Sequence, residues 1–409
     1  MVLIWQPPTE RLLQFLLCWF LGSVAPSPVD QHATEETKLL CANMKTFAND
    51  ANKIIFGHQE DTWLGASGGR APYQYSDLKH NGSINGWIFI LQQAQAGDPD
   101  ALSDVLEMTG QRPALTGFDF FQLDDDHMFT MSYLAKLAHA KGQIITVTQL
   151  LDNPITNGSA WVEKDHGQFP HIVRRLLPGG DFNHVYRQNL DKIADWALNL
   201  KDSKGRLIPI IYRALHEQKG EWFWWGLNNK AHNTPQDVQN LYRYLVSYLR
   251  DTKGVHNILY AICPDKFKDE ADYLKVYPGD NYVDIIGTDY YFDNGSHPST
   301  EDFKRTLEQV VDIAERRGKT ATLTETGIRY NGLDKVHNFW NDHILDVIKS
   351  SPRASRIAYV YAWSNHCFGQ GRCEVYIPYK GHPSEKYYVN NFFKDSMTYF
   401  LNRIGNIFS

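Results

Sequence analysis

Two glutamates are the residues in this chain best placed to do chemistry. Glu217 follows the apolar run Ile208 to Tyr212 and Arg213, and leads through Glu221 into Trp222, Phe223, Trp224 and Trp225. Glu325 ends the short run Ala321 to Thr324, and Gly327 begins the turn away. β-Branched and aromatic residues favour buried strands, so each acid is expected at the carboxyl end of a strand. An acid beside a string of aromatic rings suits sugars: the acid can protonate a glycosidic oxygen, and flat rings can stack on sugar faces. A lone His216-Glu217 pair is ordinarily a satisfied core or surface pair. The aromatic string and the second acid single this one out. The two acids lie far apart in sequence, so only a fold can join them.

The elements that must do so alternate. Strands are expected at Ile54–Gly57, Ala114–Phe120, Ile144–Gln149, Ile208–Leu215, Ile258–Cys263, Val283–Asp289, Ala321–Glu325 and Ile357–Trp363. Helical patterns lie around them, among them Leu39–Ala51, Met131–Ala140, Leu190–Leu200, Pro235–Leu249, Thr300–Arg317 and His337–Lys349. Alternation on this scale predicts a single α/β (β/α)₈ TIM barrel. A doubly wound open sheet is the alternative, but no G-x-G-x-x-G follows the first strand. In a barrel, reactive groups gather where strands end. Polar residues do cluster there: His58 to Asp61, Asp119, Asp152-Asn153, His216-Glu217, Asp289 to Tyr291, Glu325, and Trp363 to Asn365.

The formal net charge is −6 and no Lys/Arg run is present, which argues against a nucleic-acid partner. With 409 residues and 43% hydrophobic content, the chain can bury one large core. Arg11 precedes an apolar run, Leu12 to Leu21, and a small-x-small site ends at Ala25. This is the pattern of a secretory signal over residues 1–25, too short to span a membrane. Residues 26–38 read as a polar linker, and 39–409 as the catalytic domain. A secreted monomer, free of the membrane after cleavage, is expected. Of five cysteines, Cys18 lies in the signal. Cys367 and Cys373 bracket a short glycine-containing loop and could close a disulfide, whereas nothing local brings Cys41 to Cys263. No cysteine spacing resembles a zinc site. Asn81, Asn157 and Asn294 each begin an Asn-Gly-Ser sequon.

The stretches IYRALHEQKGEWFWWG, LTETGIR, FGHQEDTWLG, VDIIGTDYY and VYAWSN together resemble glycoside hydrolase family 26, best known for β-1,4-mannanases. The resemblance runs from about Lys53 to Phe400. It implies a retaining endo-hydrolase acting on a polysaccharide, β-mannan first, with Glu217 as acid/base and Glu325 as nucleophile. It further implies that His216 contacts the sugar or supports the acids, that Tyr291 orients Glu325, and that Trp222 and Trp363 are stacking platforms. Independently of any family, retention requires two carboxyl groups about 5–5.5 Å apart, one protonated and one ionised. Burial among aromatics and the charge on Glu325 should raise the Glu217 pKa, while Tyr291 and Arg213 are placed to keep Glu325 ionised. Such chemistry needs no metal and no organic cofactor. The sequence departs from the family where Gln149-Leu150 replaces a Trp-His pair; Phe118, where Trp is common, is a milder change. Leu150 cannot donate a side-chain hydrogen bond to a sugar. Two other readings therefore stand beside a mannanase: the same machinery on mixed-linkage β-glucan or β-1,3-xylan, and a carbohydrate-binding protein deficient in turnover.

Overall fold

The computed structural model describes residues 27–66, 103–121, 123–162, 170–293, 299–368 and 372–409. Eight strands form its centre: β1 (Ile54–Gln59), β2 (Leu115–Phe120), β3 (Ile144–Gln149), β4 (Ile210–Arg213), β5 (Ile258–Ile262), β6 (Ile285–Phe292), β7 (Thr320–Ile328) and β8 (Tyr359–Ala362). Each pairs in parallel with the next, and β8 closes on β1, with Ile55 opposite Tyr359 and His58 opposite Ala362. The expected (β/α)₈ barrel is the observed architecture. Parallel strands buried on both faces read as continuous apolar runs, which is why the strands were visible in the sequence.

Their side chains nevertheless alternate. Ile54, Phe56, Ile145, Val147, Ile210, Tyr212, Ile258, Tyr260 and Ile286 belong to the core shared with the helices. Their neighbours Ile55, Ile144, Ile211, Leu259, Ala261 and Ile285 fill the barrel interior. The outer layer includes α1 (Glu35–Asn49), α2 (Asp125–Ala140), α3 (Asn183–Asn199), α4 (Pro235–Ser247) and α5 (Thr300–Arg316). Side-chain oxygens of Thr34, Asp124, Thr234 and Ser299 cap the starts of α1, α2, α4 and α5. On α1, Leu40, Cys41 and Met44 join the interior cluster, so this helix plugs the amino end of the barrel.

Two expectations are corrected. Residues 26–38 are not a free linker. Among those described, Asp30 and Ala33 are buried, and the Val29 N–H donates to Asp284 Oδ1 at 2.7 Å. Asp30 Oδ2 lies 2.8 Å from His256 Nδ1, and α1 already begins at Glu35. The polar composition mistaken for a linker is a docking segment and a helix cap. Strand β4 is shorter than Ile208–Leu215, because Pro209 has no N–H for the ladder and Leu215 turns at φ 50°. Cys41 and Cys263 are both buried free thiols.

The signal segment, Asn81 and Asn294 lie outside the described residues. Asn157 is exposed in the loop after β3, at φ 53°. After β8, strands β9 (His366–Phe368) and β10 (Arg372–Glu374) form an antiparallel hairpin that sets Cys367 opposite Cys373. No helix among the described residues is long and apolar enough to cross a membrane.

Candidate active site

Inward parity on the strands determines what lines the barrel mouth. On β4, Ile211 faces inward, and so does Arg213 two residues on. On β6 the same step from Ile285 leads through Gly287 to Asp289 and Tyr291. On β7 it fails, because Leu323 belongs to the outer core and strict alternation would turn Glu325 outward. The β6–β7 register shifts here: Thr288 pairs with Leu323, but Asp289 pairs with Glu325. Thr324 is the extra residue, a bulge that turns Glu325 inward beside Asp289.

Glu217 arrives differently. After Arg213 the chain leaves the strand, and both Leu215 (φ 50°) and Glu217 (φ 53°) adopt left-handed backbone. Such conformations are strained for these residues and persist only where neighbours enforce them. The Glu217 N–H donates to Cys263 O at 2.8 Å, at the end of β5. Trp225 Nε1 donates to His216 O, and Trp224 Nε1 to Leu151 O, each at 2.8 Å. Phe223, Trp224 and Trp225 are therefore buried props, and of the four consecutive aromatics only Trp222 stays part-exposed at the cleft. The expected aromatic wall comes partly from elsewhere. Trp161, which the sequence reading passed over, is 38% exposed and packs on Phe223 with ring centroids 4.9 Å apart. Trp363 is part-buried just beyond β8, its N–H donating to Thr326 O at 3.2 Å.

Carboxylate oxygens of Glu217, Asp289 and Glu325 lie within 4.8 Å of one another, and all three residues are buried. Their surroundings differ. Glu325 Oε1 meets the Arg213 guanidinium at 2.7 Å, and Oε2 accepts from the Tyr291 hydroxyl at 2.8 Å. Arg213, fully buried, also faces Asp289 at 3.7 Å and donates to Thr324 O at 3.0 Å. Among the described residues no cation makes such a contact with Glu217; Trp222 Nε1 donates to its Oε2 at 2.6 Å. Burial, then the charges of Glu325 and Asp265, push the Glu217 carboxyl well above the ordinary range. Burial also raises Glu325, but Arg213 and Tyr291 pull it back. Asp289 is raised well above its usual value by burial and by Glu325. The arrangement favours one ionised carboxylate, Glu325, facing one guanidinium, with Glu217 holding a proton. These three acids are also a donor set of the kind that binds cations. Since Arg213 already provides the counter-charge, we read them as reacting acids and not as a metal centre.

His216 is buried, and desolvation together with Arg213 lowers its pKa well below 6.5, so its imidazole is neutral. Leu150 is part-buried, and its main-chain N–H donates to Asp119 Oδ1 at 3.0 Å. All six expected site residues thus stand at the carboxyl end of the barrel. Arg213, Asp289, Arg329 and Asp265 complete the charge pattern. Of these, Asp265 carried no sequence signal, being one acid in the acidic stretch Asp265 to Asp272.

The family model for glycosyl hydrolase family 26 matches residues 29–362. The chain belongs to glycosyl hydrolase family 26. The family match begins ten residues before the expected domain start at Leu39, in keeping with the docked segment. A mannan endo-1,4-beta-mannosidase of Bifidobacterium adolescentis is 35% identical over 307 residues, 69% of this chain and 29% of that protein. One of Bacillus subtilis is 32% identical over 219 residues, 51% of this chain and 58% of that protein. The chain thus spans less than two thirds of the length of either relative. Among solved structures, a Cellulomonas fimi endo-beta-1,4-mannanase double mutant superposes with a TM-score of 0.78 at 30% identity, covering 94% of this chain and 80% of that one.

Proposed function

We propose that the protein is an endo-β-1,4-mannanase that cleaves internal bonds of mannan, galactomannan and glucomannan with retention of configuration. The observation that carries this reading is the unequal acid pair. Glu217 and Glu325 present oxygens within 4.8 Å of each other, whereas inversion needs carboxyl groups about 6.5–9.5 Å apart to admit a water. Glu325, ionised and held at both oxygens, attacks the anomeric carbon while Glu217 gives its proton to the leaving oxygen. Forming the glycosyl-enzyme ester removes the Glu325 charge. That lowers the proton affinity of Glu217, which then accepts a proton from the incoming water. The relatives' activity supports mannan as the substrate. Leu150 favours testing other β-glycans alongside, since it offers a sugar no side-chain hydrogen bond. The reading further places the protein outside the cell, with residues 1–25 removed, a Cys367–Cys373 disulfide, a glycan on Asn157 at the cleft rim, and no partner subunit.

The test is reducing-sugar release from galactomannan, glucomannan, mixed-linkage β-glucan and β-1,3-xylan, with a Glu325→Gln variant beside the native protein. Release from the mannans alone, lost in the variant, is expected. Release confined to another glycan would overturn the substrate, and binding without release from any would overturn the activity.

A further inference from the structure

Asp265 lies in the loop after β5, two residues beyond Cys263, whose carbonyl accepts the Glu217 N–H at 2.8 Å. β5 stands next to β4 in the barrel, so this loop flanks Glu217 directly, while Glu325 reaches it from β7 across the mouth. Pro264 stiffens the approach. Asp265 is part-buried in this loop. The lysines near it are engaged elsewhere: Lys219 in an ion pair with Asp272, Lys266 over the Tyr290 ring at 4.5 Å from its centroid. Arg329 packs over the Tyr291 ring at 4.7 Å.

We propose that Asp265 is a positioning residue for the leaving-group side of the cleft, holding hydroxyls of the departing sugar and acting on Glu217 through its negative charge. The proposal rests on Glu217 being the acid/base. Glu325 serves the anomeric-carbon side, which leaves Asp265 facing the side to which the cleaved chain departs. A carboxylate accepts hydrogen bonds at both oxygens, so it can hold two neighbouring hydroxyls of one pyranose.

The groups facing Glu217 are Cys263 and Asp265 after β5, Asp289 and Tyr291 from β6, Glu325 from β7 and Arg329 just beyond it, and Trp222 from its own loop. Of these, Asp265 and Glu325 hold the proton on Glu217, while Arg329 and the Trp222 N–H oppose them. Burial raises Asp265 too, while the N–H of Lys266 and the charges of Lys266, Arg329 and Lys219 act to keep it ionised. Removing its charge lets Glu217 lose its proton at lower pH.

The experiment compares Asp265→Asn and Asp265→Ala with the native chain. It records kcat/KM against pH on a manno-oligosaccharide and on a mannoside with a dinitrophenyl leaving group, which departs without protonation. The alkaline limb should move to lower pH in both variants. Turnover of the oligosaccharide should fall about tenfold or more, since general-acid help is worth roughly 10²–10⁴-fold. The dinitrophenyl substrate should stay within about twofold, with melting temperature unchanged. An unmoved limb, or equal losses on both substrates, would overturn the proposal. Glu217→Ala is the control: it should keep kcat/KM on the dinitrophenyl substrate, lose kcat because the glycosyl-enzyme lacks its base, and recover kcat with azide, which attacks without one. Failure of that control would overturn the acid/base reading and the Asp265 role together, whereas failure of the Asp265 variants alone would overturn only the latter.

Discussion

Replacing Tyr291 with Phe isolates one of the two contacts that hold Glu325, the proposed nucleophile. The hydroxyl donates to Glu325 Oε2 at 2.8 Å, and both groups are buried. The Phe ring would keep the packing, since Tyr291 lies against Tyr376 at 5.8 Å and under Arg329 at 4.7 Å. Only the hydrogen bond is lost. A hydrogen bond to a charged group contributes about 1.5–3 kcal/mol. At about 1.4 kcal/mol per tenfold, kcat/KM should fall roughly 10- to 150-fold. Arg213 still holds Oε1 at 2.7 Å, so activity should not vanish. The hydroxyl lowers the pKa of Glu325; without it the acid limb, where Glu325 must be ionised, should move to higher pH. The assay is the pH profile of kcat/KM on a manno-oligosaccharide, with a melting curve to establish that the fold is intact. A value within about threefold of the native one, with the acid limb in place, would show that Tyr291 does not tune the nucleophile.

A methyl group at Gly117 would overlap Tyr361 Oη and Gln59 Oε1, and the Tyr361 ring lies 5.2 Å from the Arg213 guanidinium. Gly117→Ala should therefore cost about 1–3 kcal/mol of stability in a denaturant titration and lower kcat; a neutral result would contradict the packing. Burial raises Asp119 to about 7, so its protonated form stabilises the fold below about pH 4, and that contribution is lost as pH rises through about 7. Asp119→Asn should then gain on the order of 2 kcal/mol relative to the native chain between pH 5 and pH 8; a difference that does not change with pH would refute this. Intact-mass analysis with thiol labelling of the native protein should find Cys367 and Cys373 joined and Cys41 and Cys263 unlabelled until unfolding. Labelling at Cys367 and Cys373 would exclude the bridge.

Much of this was legible beforehand, for physical reasons. Two-sided burial writes parallel strands as apolar runs, and a barrel collects polar residues at strand ends, so Glu217, Asp289, Tyr291 and Glu325 could be gathered from sequence. The β7 bulge was not legible: a period of two carried from Leu323 points Glu325 the wrong way, and only pairing with β6 reveals the extra residue Thr324. The aromatic string after Glu217 was read as a sugar-stacking surface, yet Phe223, Trp224 and Trp225 instead hold the strained Glu217 turn. Ring identity alone does not distinguish platform from prop; where the indole N–H groups go does. Trp161 was missed because its pairing with Phe223 crosses between two loops. The segment before α1 was misjudged because Asp30 looks solvated in sequence, and only His256, far along the chain, shows it to be buried.

The most direct test of the account is the configuration of the first product. Proton NMR of a manno-oligosaccharide during hydrolysis would follow the new anomeric signal before mutarotation. Glu217 and Glu325, with oxygens within 4.8 Å, predict the β-anomer first, with the α-anomer growing in only as the product equilibrates. An α-anomer at the earliest times would mean that water attacks directly, and that Glu325 is not the nucleophile.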